Sequence, residues 1–156
     1  MTGFGDAKVA DQNSPAGKRA MIVAAAKKLA ISNAKSTYLL GGKTKTAFDC
    51  SYFVYLVLNE VFPDYRYLSS AQIISANEFQ EAPRPTEGDI IYFPPGKVPH
   101  EVAKGNQREF AGHVGIVLNG ISWVGRQKGS LDMVLNSNPW WGSRTVKYYT
   151  YLRIFH

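Results

Sequence analysis

The chain has 156 residues, of which 45% are hydrophobic and 19% charged, with a formal net charge of +6. That is the scale of one domain with a sizeable core, and the balance excludes a chain disordered throughout. A single cysteine excludes an intramolecular disulfide and any multi-cysteine metal site. The basic excess suits a polyanion in general. No Lys/Arg run exceeds two residues and no base-stacking motif accompanies it, so nucleic-acid binding is not expected.

Residues 1–13 are small and polar and are expected to form a flexible arm before one domain spanning 14–156. Met1-Thr2-Gly3-Phe4-Gly5-Asp6 lacks the basic and apolar regions of a secretory signal, and no apolar run approaches a membrane span, so membrane insertion is not expected. Ser14 followed by Pro15 reads as an N-cap with proline at the first helical position, opening a helix to about Ile31. Asn33 to Ala47, with Gly41-Gly42 and a polar Lys43-Thr44-Lys45-Thr46, reads as loop. Phe53, Val54, Val57, Leu58 and Val61 recur at three- and four-residue steps, which predicts a helix from Cys50 to about Phe62, just before Pro63. A shorter helix is expected from Ser69 or Ser70 towards Asn77.

The second half changes character. Asp89–Phe93, His113–Leu118, Ile121–Gly125, Leu131–Leu135 and Val146–Ile154 are rich in Val, Ile and aromatics and bounded by Gly, Pro or Asn, so they read as strands. Asn119-Gly120 is a hairpin signal. Helices followed by strands predict an α+β domain, with the helices packed on an antiparallel sheet.

Cys50 would occupy the first turn of its helix, where free N–H groups and the dipole favour a thiolate. The other reading is a buried structural cysteine. A thiolate nucleophile needs a nearby base, most often an imidazole. Among three histidines, His156 is terminal, and His100 falls in the polar Pro94–Gly112 stretch, itself either a lid over a site or a plain solvated loop. His113 opens the most apolar strand, mounted on a rigid element, and is the best base candidate.

Asp49-Cys50-Ser51-x-Phe53-Val54, then Gly88-Asp89-Ile90-x-x-Phe93, then Gly112-His113-Val114-Gly115-Ile116 resembles the NlpC-type cell-wall peptidases. Upstream, Tyr38-x-x-Gly41-Gly42 matches that family's tyrosine–glycine pair. The likeness runs from about Tyr38 to Ile154. It implies a papain-like fold in which a helix bearing Cys50 packs on a sheet bearing His113. It further implies Cys50 as nucleophile, His113 as proton carrier, Tyr38 near the developing oxyanion, and Asp49 and Ser51 as support for the turn. The family orients its histidine with a polar residue on the next strand. Gly125 stands where many relatives place a histidine, a departure that leaves Gln127 as the first choice and Ser122 as a second. Trp123 reads as core, whereas one of Trp140 and Trp141 is expected to line a substrate groove.

The resemblance implies a cysteine amidase or endopeptidase acting on an amide bond of peptidoglycan peptides, with no metal or organic cofactor required. A compact, leaderless version looks like the type VI secretion amidase effectors, which implies delivery to a target cell's periplasm and a cognate immunity protein as partner. Acyltransferase or deamidase chemistry on a protein or lipid is the alternative, since fold does not fix substrate. A non-enzymatic binding module is a third reading, separated from the others by thiol reactivity.

Overall fold

The computed structural model describes residues 11–44 and 47–156. The expected arm therefore lies outside the described residues up to position 10, and Asp11–Asn13 form a 3-10 turn. Ser14 caps helix α1 (Pro15–Ser32) by accepting a hydrogen bond from Gly17 N at 3.0 Å. The small side chains Ala25, Ala26 and Ala30, together with Ile22, form its buried stripe. Helix α2 (Cys50–Val61) buries Phe53, Val54, Val57 and Leu58, the residues whose spacing predicts it. Lys28 of α1 pairs with Glu60 of α2 across their shared edge.

Beyond them the chain builds a six-stranded sheet. Its strands are β4 (Phe79–Ala82), β5 (Ile90–Phe93), β8 (His113–Asn119), β9 (Ser122–Arg126), β10 (Leu131–Leu135) and β11 (Lys147–Tyr151), in the spatial order β10-β9-β8-β5-β11-β4. All its pairings are antiparallel. The α+β expectation holds. Side chains alternate across a strand, so the sheet has two unlike faces. Ile90, Tyr92, Val114, Ile116, Leu118 and Val124 join the helices in the main core. Ile91, Phe93, Val117, Trp123 and Val134 form a smaller cluster. Asp89, fully buried at the head of β5, ties the layers together. Its Oδ1 accepts from Arg19 of α1 at 2.8 Å and from Thr150 of β11 at 2.7 Å.

Several elements differ from expectation. Residues 37–44 and 47–48 are not a plain loop: β1 (Thr37–Tyr38), β2 (Lys43–Thr44) and β3 (Ala47–Phe48) form a small sheet in the order β1-β3-β2. Strands of two residues are too short for periodicity to reveal. The third helix is only α3 (Ser70–Ile73), closed by a capping box between Ser69 and Gln72. Strand β4 is an edge strand in which only Phe79 is buried, so no alternation marks it in the sequence. The Pro94–Gly112 stretch holds a hairpin of β6 (Gly96–Lys97) and β7 (Glu109–Phe110), and His100 sits in helix α4 (Pro99–Val102). Trp140 and Trp141 belong to helix α5 (Pro139–Gly142), and the last strand gives way to a 3-10 turn at Leu152. Among the described residues, no helix is long and apolar enough to cross a membrane.

Candidate active site

Cys50 is the first residue of α2, and Asp49 is its N-cap. The Asp49 carboxylate accepts from Tyr52 N at 3.1 Å, from the Ser51 hydroxyl at 3.1 Å and from Gly41 N at 2.9 Å. Gly41 has a φ of +76°, a conformation that favours glycine. One carboxylate thus fixes the helix start, the neighbouring side chain and the glycine turn before it. Because Ser51 donates to Asp49, the Tyr67 hydroxyl donates to Ser51 Oγ at 2.7 Å.

The Cys50 sulfur is buried against β8. Burial pushes its thiol up to about 11, the Asp49 carboxylate adds to this, and N–H groups of Val114, Ser51 and Cys50 oppose it by favouring the thiolate. Val114 follows His113 directly. The helix start and the strand start expected to carry the chemistry therefore meet. Tyr38 lies near both Cys50 and Asp49; burial foremost, and then their negative charges, raise its phenol. Among the described residues, no hydrogen bond closes between the thiol and the imidazole.

His113 projects towards the smaller cluster. Its ring lies 4.8 Å from Trp141, 5.6 Å from Trp123 and 6.3 Å from Phe93, centroid to centroid. Burial pulls its imidazole down to about 3, the Arg144 cation lowers it further, and Gln127 opposes both. Among the described residues, His113 Nε2 and Gln127 Oε1 are both buried without a partner of hydrogen-bonding geometry. The amide is nevertheless near enough to raise the basicity of the ring. An unpaired ring nitrogen beside an unpaired acceptor is a bond that a small side-chain rotation can close. A Cβ at Gly125 would meet Gln127 Oε1 at 3.3 Å and Trp123 Cζ3 at 3.0 Å. The absent side chain at 125 is thus replaced by an amide and an indole from neighbouring positions.

Of the expected residues, Asp49 and Ser51 are bonded to one another beside Cys50, with Tyr38 close by, and His113 and Gln127 line one groove together with Tyr38. Ser122 does not; its hydroxyl is spent on Asn119 Oδ1 at 2.9 Å in the hairpin. Trp123 is core, as expected, and overlies Gly115, whose Cβ would meet its ring at 2.6 Å. Both tryptophans of the pair, and not one alone, line a groove of about 300 Å³ with Tyr38, His113, Arg126 and Gln127.

Three site residues escaped the sequence reading. Tyr67 braces Ser51, and Lys43 Nζ lies 4.4 Å above its ring. Arg126, only 3% exposed, donates to Ser36 O and leaves its Nε unpartnered at the groove. Arg144 sits behind Trp140 and Trp141. A basic residue ending a strand of otherwise uncharged residues was the one signal that pointed to Arg126. Among the described residues, no cluster of three His, Cys, Asp or Glu could hold a metal ion.

Residues 35–150 match the family model of the NlpC/P60 family. The NlpC/p60 domain of the peptidoglycan hydrolase SagA is 26% identical, with a TM-score of 0.54, over 83% of this chain and 96% of that one. A protein described as similar to a lipoprotein of the NLP/P60 family, from Staphylococcus aureus subsp. aureus Mu50, is 19% identical with a TM-score of 0.59, over 86% of this chain. NlpC1 from Trichomonas vaginalis is 17% identical with a TM-score of 0.53, over 80% of this chain. This chain spans 42% and 43% of those last two, whose likeness is one of fold. A comparison with curated proteins found no match. Helix-on-sheet architecture, the meeting of Cys50 with the start of β8, and a family match across most of the chain agree: this chain belongs to the NlpC/P60 family.

Proposed function

We propose that this protein is a cysteine amidase or endopeptidase that hydrolyses an amide bond in peptidoglycan peptides. The observation that carries the reading is the placement of Cys50 at the first position of α2, packed on β8, whose first residue His113 lines an open groove. The SagA domain, a peptidoglycan hydrolase by name, supports the choice of substrate. So does the groove, which carries Arg108, Arg126, Lys128 and Arg144 against a single Glu109.

In the proposed reaction, the imidazole of His113 takes the thiol proton as Sγ attacks the carbonyl carbon. Both charges form together in a buried site, so their attraction offsets part of the desolvation that holds each group neutral alone. The tetrahedral oxyanion is met by the Cys50 N–H at the helix start and by the Tyr38 hydroxyl. The imidazolium then protonates the leaving amine as the C–N bond breaks. Water, deprotonated by His113, attacks the acyl-enzyme thioester and frees the thiol. Gln127 accepts from Nε2–H, which leaves Nδ1 to exchange the proton with sulfur.

Purified Gram-negative sacculi incubated with wild-type protein and with Cys50→Ala, followed by mass spectrometry of the released fragments, test this reading. Cys50-dependent fragments support it and identify the scissile bond. Intact sacculi, with a folded protein that instead passes an acyl group to an amine or deamidates a protein, would overturn it. On the resemblance to type VI amidase effectors alone, we also propose delivery into a competitor's periplasm and an immunity protein that covers the groove. Cys50-dependent lysis on periplasmic expression in a Gram-negative host supports delivery, and neutral growth counts against it.

A further inference from the structure

The wall behind His113 is built from two segments far apart in sequence. One is the 94–112 excursion between β5 and β8; the other is the turn through α5 that precedes β11. Arg144 joins them. Its Nη2 donates to Pro94 O at 2.9 Å and to Ala111 O at 3.1 Å, the two ends of the excursion. Its guanidinium carbon lies 5.4 Å from the ring centres of both Trp140 and Trp141, and 5.5 Å from that of Phe93. Trp140 meets Phe110 edge-on at 5.2 Å, and His100 N donates to Ser143 Oγ at 3.2 Å, so the two segments touch along their length. Arg144 is only 7% exposed and forms no ion pair among the described residues. Trp141, one layer in front of it, carries the closest ring to His113.

We propose that Arg144 is a positioning residue for His113: its guanidinium clasps both ends of the 94–112 segment to the Trp140–Trp141 pair and so fixes the aromatic wall against which the imidazole lies. The proposal rests on the reading of His113 as the proton carrier. A guanidinium suits the task because it is planar, bonds two carbonyls at once and stacks on indole faces, none of which an ammonium does equally well. It also puts a permanent positive charge behind the imidazole, which favours the neutral ring that can accept the thiol proton. The other charged or titratable groups that share the groove with His113 are Tyr38 from β1 and Arg108, Glu109, Arg126 and Lys128, and Cys50 of α2 faces the adjoining Val114. Arg144 is the cation that acts on the imidazole from within the wall.

The test uses Arg144→Lys, Arg144→Met, Trp141→Phe and the Lys/Phe double variant, with His113→Ala as control. Two quantities are followed against pH: the rate of Cys50 alkylation by iodoacetamide, and kcat and KM on soluble peptidoglycan peptides. Arg144→Lys keeps the charge but loosens the clasp; it should lower kcat about 10-fold with KM within about 2-fold, because what is lost is alignment and not binding. Arg144→Met removes the cation, so the acid limb of the profile should move to higher pH as the imidazole becomes easier to protonate. If Arg144 acts through Trp141, the double variant should be no worse than the poorer single one. A folded Arg144→Lys with wild-type kcat and profile overturns the proposal, as do losses that simply multiply. Should both Arg144 variants fail to fold, Trp141→Phe decides, and an unchanged profile there overturns it equally. Alkylation needs no substrate, so failure to cut peptidoglycan would defeat the proposed function and still leave this test standing.

Discussion

The two faces of the six-stranded sheet solve different problems. On the helix side, α1 and α2 bury a large apolar core, and the polar groups that hold Cys50 in place are paired: Asp49 has three donors, and Ser51 and Tyr67 complete the chain. On the far side, a small aromatic cluster carries His113; His113 Nε2, Gln127 Oε1 and Arg126 Nε lack partners around the groove, as the Tyr65 hydroxyl does in the main core. Cys50 belongs to the helix-side core, and the His113 ring packs against the aromatic cluster.

The largest effect expected is that of Cys50→Ala. Under the proposed mechanism it should abolish hydrolysis, by on the order of a thousandfold or more, with unfolding curves close to wild type because one small buried group is lost. Retained activity would remove the proposed nucleophile from the helix side altogether.

Trp123→Ala and Phe53→Ala sharpen the comparison, since each empties the centre of one face. Both should cost roughly 3–5 kcal/mol in chemical denaturation. Only Trp123→Ala should also lower activity per folded molecule, because only Trp123 packs near His113. Equal losses of activity in both would end the division of labour.

Stability against pH separates the faces a second way. His113 is held down to about 3 from an ordinary 6.5, so in that window the unfolded chain binds more protons, and stability falls as pH drops below 6.5. Cys50 is pushed up to about 11 from an ordinary 9.0, so above 9.0 the folded chain binds more protons and stability falls as pH rises. Denaturation midpoints across this range should show an acid limb that flattens in His113→Gln and an alkaline limb that flattens in Cys50→Ala. Limbs that ignore these substitutions would assign the titration to other groups.

Asp49→Ala should cost about 1–2 kcal/mol for the lost cap, read from urea midpoints. It should also ease ionisation of the thiol, since the carboxylate opposes it; an unchanged alkylation profile would contradict that. The smallest effect is that of Lys128→Gln at the groove rim, about 2-fold in KM and smaller at high salt, as surface charges are screened. A salt-independent change would argue against an anionic substrate.

The sequence by itself determined the parts governed by short-range rules. The stripe from Phe53 to Leu58, the Ser14 cap and the Leu131–Leu135 strand were legible because helix periodicity, capping and strand composition act over a few residues. The ordered motifs carry the resemblance to the NlpC/P60 family, and it is that resemblance which implies one site for Cys50, His113 and Tyr38. Tertiary structure alone decided what depends on pairing across the fold. Tyr67 reaches Ser51 from 16 positions away, Arg126 reaches Ser36 from 90, and Arg144 reaches Pro94 from 50. No local pattern encodes those contacts, because each follows from strand order and not from spacing. The surroundings of Ser122 and Gln127 belong with them: in the fold Ser122 bonds within the turn, and Gln127 lies close to the imidazole.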